Sequence, residues 1–137
     1  MIDGPNKNAS IWRSAGVWMA ILIAAFMVLN AWRSVSDPAA FVAYFGLPKA
    51  ANSDPAFVYV YASRAFFLGA ITAVLVWRRQ LIALKYFALV AIVLPLCDAF
   101  QVYAAEGFSS IVVRHLLVAV FLAVTAALLH HREQKYG

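Results

Sequence analysis

An arginine, an aspartate and a histidine stand inside three apolar runs of this 137-residue chain. Arg64 lies in "FVYVYASRAFFLGAITAVLVW", Asp98 in "IALKYFALVAIVLPLCDAFQVYAA" and His115 in "IVVRHLLVAVFLAVTAALLH". A carboxylate can serve as acid, base or nucleophile, and an imidazole titrates near neutrality. A guanidinium beside them can hold the carboxylate charged or bind an anionic or carbonyl oxygen. Such a trio suits acid–base chemistry on a lipophilic small molecule such as an isoprenoid or polyketide: epoxide opening, cyclisation or isomerisation. The plain structural alternative is an Arg64–Asp98 pair that locks two helices together.

Five further residues are candidates for binding the molecule: Asn30, Tyr61, Gln101, Tyr103 and Arg114. Gln101 lies one turn beyond Asp98 on the same helix face and is a natural hydrogen-bond partner for Asp98 or Arg64. Arg114 stands near a helix end, where a long basic side chain can instead snorkel to the interface. Tyr61 and Tyr103 fit the interface as well as a pocket. Cys97 reads as a small apolar filler.

Other chemistries find no support. A single cysteine gives no intramolecular disulfide, CxxC pair or cysteine zinc site. His130 and His131 are adjacent, off one another's helix face and about 22 Å along a helix from His115, which argues against a bis-histidine haem. The Glu-x-x-His pairs of a di-iron bundle, the P-loop, GxGxxG and GxSxG are all absent. No metal and no cofactor is expected.

The elements that carry these residues belong in lipid. The composition is 65% hydrophobic and 12% charged, about half the charge that a soluble domain uses to coat its surface. The formal charge of +5 does not point to nucleic acid, because the basic residues sit at the ends of apolar runs. Crossing ~30 Å of hydrocarbon takes about 20 helical residues. Four runs approach that length, at about 17–32, 57–77, 82–105 and 111–130, with Trp12, Trp18, Trp32 and Trp77 at their ends. The first run is too long and lacks a small-x-small cleavage site, so it is expected to be a retained helix rather than a cleaved signal. The predicted fold is all-α, a four-helix transmembrane bundle forming one domain over residues 1–137.

"RRQL" and "EGFSS" are short links that make antiparallel neighbours. The segment 33–56 is longer and contains two Asp-Pro pairs. Asp37 can cap and Pro38 can open a short interfacial helix over Pro38 to Phe45, ended by Gly46 and Pro48, and this helix could serve as a lid. Lys7, Arg13, Arg78, Arg79, Lys85, Arg132 and Lys135 fall on one side, which the positive-inside rule makes cytoplasmic, with both termini there.

From that side, Arg64 and Asp98 each lie roughly 10 Å below the opposite face and His115 roughly 6 Å below it, counting helical rise. Asn30, Gln101 and Arg114 share that outer half. The cytoplasmic half holds only Thr72 and Thr125 as internal polar residues. Pro95 should bend the third helix just before Asp98 and open space beside the carboxylate.

From Gly46 onward the chain resembles DUF4267, a family of small four-helix membrane proteins. The carriers are "YFGLP", "SRAFFLGA", "PLCDAF" and "RHLLVA". Gly46, Leu47, Pro48, Arg64, Gly69, Pro95, Asp98, Ala99 and His115 fit the family pattern. Ala65 stands where the family has Asp, which argues against a function needing two carboxylates. Cys97 replaces a Gly, and Arg114 and Leu116 flank the histidine where the family has other residues. The resemblance implies the same fold and selects Arg64, Asp98 and His115, without an established activity. The architecture is also similar to that of the DoxX-like group, whose roles are diverse.

An enzyme is thus one expectation. A non-catalytic binder of lipid or another hydrophobic ligand, or a small subunit whose "GAITA" face (Gly69 to Ala73) meets a partner, is the alternative. A proton-coupled transporter is weaker, since the cytoplasmic half offers no relay. Membrane lipid and a lipophilic small molecule are the expected partners, with no nucleic acid and a possible homodimer.

Overall fold

A computed structural model describes residues 11–47 and 56–136, and among them there is no β-strand. A 3-10 turn (Ile11–Arg13) leads into α1 (Ala15–Ser36). The short α2 (Pro38–Phe45) follows, then α3 (Ala56–Trp77), α4 (Leu81–Ala91), α5 (Val93–Glu106) and α6 (Ser110–Tyr136). The segment with the second Asp-Pro pair, together with Pro48 and Lys49, lies outside the described residues.

Among the described residues four spans are long and apolar enough to cross a bilayer: Ala15–Ser36, Ala56–Trp77, Leu81–Glu106 and Ser110–Lys135. Only 28–33% of each apolar window is buried inside the protein. The remainder turns outward, with Leu22, Phe66, Phe67, Val90, Phe100 and Leu117 all exposed. Water would strongly disfavour so much exposed apolar surface, whereas lipid does not. The protein is a multi-pass integral membrane protein.

The third span is broken at Ile92, between α4 and α5. Pro95 has no N–H to offer the carbonyl of Ala91, and the neighbouring bonds are stretched: Ile92 N–H to the Leu89 carbonyl at 3.3 Å and Leu96 N–H to the Ile92 carbonyl at 3.4 Å. The interruption thus falls a turn before the proline, further from Asp98 than the sequence suggests.

The helices pack as two pairs. α1 runs along α3, and α4 and α5 run along α6. α1 crosses α6 and α3 touches α4, but α3 and α5 barely meet. Glycine sets the first pairing: a Cβ on Gly69 would lie 2.7 Å from Val28 Cγ2 and 3.0 Å from the Ala24 carbonyl oxygen. The "GAITA" stretch is therefore partly consumed inside the chain, with Gly69 and Thr72 buried and Ala73 exposed. Gly16 brings α1 equally close to Leu129 of α6, 3.0 Å from an added Cβ to Leu129 Cγ.

α2 forms as its residues dictate. Asp37 Oδ1 accepts from the Ala40 N–H at 3.0 Å, Pro38 opens the helix, and Gly46 ends it at φ +105°. It is apolar all round rather than amphipathic. Phe41, Val42 and Phe45 sink into a cluster with Val58, Ala99, Val102 and Val112 from three spans. α2, the short helix expected between the first two spans, packs as a plug on the end of the bundle.

At the opposite end the structure corrects the count of internal polar groups. Lys85 is 6% exposed and bonds Glu133, whose carboxylate lies 3.8 Å from His130 Nδ1. A buried ammonium needs a counter-charge, and α6 supplies it by continuing past His130 through Arg132-Glu133-Gln134-Lys135, a run of good helix formers.

Gly69→Val should lower the stability of the α1–α3 pair by about 1–3 kcal/mol through overpacking. Ala73→Val, exposed to lipid, should change the thermal unfolding midpoint in detergent little. Equal midpoints for the two variants would contradict the packing described.

Candidate functional site

Between the two helix pairs lies a cavity whose empty volume, open mouth included, is about 990 Å³. Its walls come from all four spans and α2, and its polarity is one-sided. Asn30, Tyr61, Arg64, Asp98, Arg114 and His115 gather toward the α2 end. Below them the walls are Ile23, Leu68, Phe87, Ala88, Val118 and Leu122. Thr72 and Thr125 also line it, but their hydroxyls donate to their own helices, at the Leu68 carbonyl (2.7 Å) and the Phe121 carbonyl (2.8 Å). They add little polarity.

Helix register explains why the polar groups share a layer. Equal steps along α1 from Gly16 and back along α6 from Leu129, which touch, lead to Asn30 and His115. Gly69 crosses α1 between Ala24 and Val28; one turn onward on each helix brings Asn30 level with Ala65, next to Arg64. Gly46 contacts both Val102 and Ile111, and one turn from each lie Asp98 and His115.

Arg64 and Asp98 meet through one contact, Nη2 to Oδ1 at 3.1 Å. The bond bridges α3 and α5, the helices that otherwise barely touch. It is monodentate, so the second carboxylate oxygen and the other guanidinium N–H groups keep no partner among the described residues. The Asp98 side chain is 11% exposed and that of Arg64 36%. Arg64 also lies over the Tyr61 ring, 5.4 Å from its centroid, and Tyr61 packs on Phe41 at 4.7 Å and Phe45 at 5.5 Å.

The cap is tied to α6 by the same two residues that extend the polar layer. Helix C-termini leave carbonyls without partners. In α2 the carbonyls of Val42 and Ala43 accept from Gly46 and Leu47. Those of Tyr44 and Phe45 are met by Arg114 and by His115 Nε2, the latter at 3.2 Å. Arg114 also stacks on the Tyr44 ring, 4.0 Å from guanidinium carbon to centroid, so it folds over the cap rather than reaching away into the interface. Because a carbonyl only accepts, Nε2 of His115 carries the proton in this contact. Nδ1 of the neutral ring is then an acceptor, and it has no partner among the described residues.

Two expected members are not in the cavity. Gln101 and Tyr103 are exposed and line none of it. Gln101 is three residues from Asp98, which turns it about 60° out of line. Near the end of α5 that turn faces it outward. Asn30, by contrast, is 2% exposed and its Oδ1 has no hydrogen-bond partner among the described residues. Among the described residues no group of three or more His, Cys, Asp and Glu side chains is placed to hold a metal ion.

The chain matches a domain of unknown function, DUF4267, over residues 24–129. It therefore belongs to that family, and the matched region holds every polar residue of the cavity. No curated protein matches the chain, and no solved structure does, so the likeness to the DoxX-like group gains nothing from them.

Arg64→Met should strand the Asp98 carboxylate in the bundle and cost roughly 3 kcal/mol, whereas Arg64→Met with Asp98→Leu should recover most of that loss. Thermal unfolding of the single and double variants in detergent checks this. A double variant no more stable than the single one would mean that the two residues do not act as a pair.

Proposed function

We propose that the protein is a membrane-embedded enzyme that performs acid–base chemistry on a lipophilic small molecule of isoprenoid or polyketide type. The tail of the substrate lies in the apolar shaft and its reacting group at the polar layer under α2. Asp98 takes a proton from the substrate or attacks it, Arg64 neutralises the carboxylate or steadies developing negative charge on oxygen, and His115 exchanges the second proton through Nδ1. Isomerisation and cyclisation return the abstracted proton to the product and need only these groups, whereas epoxide opening also consumes one water, whose hydroxyl goes to carbon and whose proton goes to the ring oxygen. Both termini and the Arg78-Arg79 turn face the cytoplasm in this proposal, so the substrate reacts in the outer half of the bilayer.

The observation that carries this reading is the incomplete Arg64–Asp98 bond. A purely structural lock gains from a bidentate, fully satisfied pair. Here one carboxylate oxygen and several guanidinium donors remain unbonded beside a cavity. Such a cavity, mostly apolar with a few convergent polar groups, is the usual form of a small-molecule site.

The second reading, a non-catalytic ligand carrier, is favoured by the cavity lining, in which Asp98 is the sole carboxylate among the described residues and Ala65 brings only a methyl. Apolar extracts of the native membrane incubated with purified protein separate the two. Wild type should convert one component, and Asp98→Asn, still folded, should leave it unchanged, a loss of at least about 100-fold for a proton-transfer residue. Equal conversion by both proteins would eliminate the catalytic role of Asp98. Binding without conversion by either would establish a carrier.

A further inference from the structure

We infer that the molecule held in this cavity is a lipophilic alcohol, and that Asn30 recognises its hydroxyl by accepting a hydrogen bond from it. The inference rests on the cavity being a small-molecule site, as proposed above, but holds whether the protein is an enzyme or a carrier.

Asn30 is the central observation. It is 2% exposed, and its Oδ1 is a buried side-chain atom without a hydrogen-bond partner among the described residues. In lipid no solvent can satisfy such an atom from outside, so leaving it bare is costly. The other internal polar groups are handled locally. Ser34 donates to the Ala31 carbonyl, and Thr72 and Thr125 donate to their own helices. Asn30 also lines the cavity, and its amide oxygen is a buried side-chain acceptor that no described residue meets.

The surroundings narrow what the missing group is. Asn30 Oδ1, Asp98 Oδ2 and His115 Nδ1 are acceptors without a partner among the described residues, which calls for a ligand that brings a donor. The free N–H groups of Arg64 in the same layer require an acceptor. One hydroxyl provides both, donating to Asn30 and accepting from Arg64. An ether, ester or ketone offers only the acceptor, and a hydrocarbon neither. The rest of the ligand is set by the shaft: from His115 to Thr125 the apolar wall extends ~15 Å by helical rise.

The test uses two alcohols, farnesol and dodecanol, each beside its O-methyl ether, which keeps the oxygen acceptor and the apolar body but lacks the O–H. Affinities are measured for wild-type protein in lipid nanodiscs and for Asn30→Leu. Wild type should prefer at least one alcohol over its ether by about ten-fold or more, the scale of one buried polar group left unpaired. Asn30→Leu should bind alcohol and ether alike, with ether affinity retained, and should be no less thermally stable than wild type, since it removes an unsatisfied atom. Equal wild-type affinity for alcohol and ether, or a preference that survives in Asn30→Leu, overturns the assignment while leaving the cavity a binding site. If neither alcohols nor ethers bind, the small-molecule reading itself falls.

Discussion

An ionised pair inside a bilayer constrains everything around it. Either charge alone would be expensive at this depth, so Arg64 and Asp98 must meet, and they meet at 3.1 Å across the gap between two helix pairs. That requirement fixes the rotation of α3 and α5, places the gap at the centre of the bundle, and leaves a cavity where α3 and α5 would otherwise pack. Glycine supports the arrangement from the other direction. Gly69 pulls α1 onto α3 within one pair, and Gly16 pulls α1 onto α6 of the other, so the pairs touch at that edge and stay apart at the cavity.

The second constraint comes from the end of α2. A helix this short ends with carbonyls that must be answered, and in an apolar setting they must be answered by protein. Arg114 and His115 do so, which draws α2 down as a plug and holds both side chains at the level of Asp98. A cation at a helix C-terminus is favourable in its own right. Closing the bundle and furnishing its polar layer are therefore one structural act.

Much of this was legible in the residues. Hydropathy and tryptophan placement mark the four spans, Asp37-Pro38 and Gly46 bracket α2, and helical rise alone puts Arg64, Asp98 and His115 at one depth. Rise is a single coordinate, however, and rotation is not written in it. Gln101 and Tyr103 have the right depth and the wrong direction, while Asn30 has both. The fate of Arg114 depends on the position of a carbonyl seventy residues away. Lys85 resembled one more cytoplasmic cation until Glu133, carried by the extension of α6, turned it inward. In each case the missing information is a tertiary contact, which periodicity does not encode. Ala65 is a different matter: its identity is visible, and the register sets it level with Asn30, where an acceptor is left without a partner.

The bundle interior is proposed to hold one amphipathic molecule with its polar end at the Arg64–Asp98 layer. Native mass spectrometry of protein released gently from its own membrane, followed by extraction of whatever is bound, addresses it most directly. The account predicts a single apolar metabolite bearing one polar group, at one copy per chain, with its occupancy reduced in Asp98→Asn. A spectrum of bulk phospholipid alone, the same for both proteins, would contradict it and leave Arg64–Asp98 as a bond that merely holds two helices together.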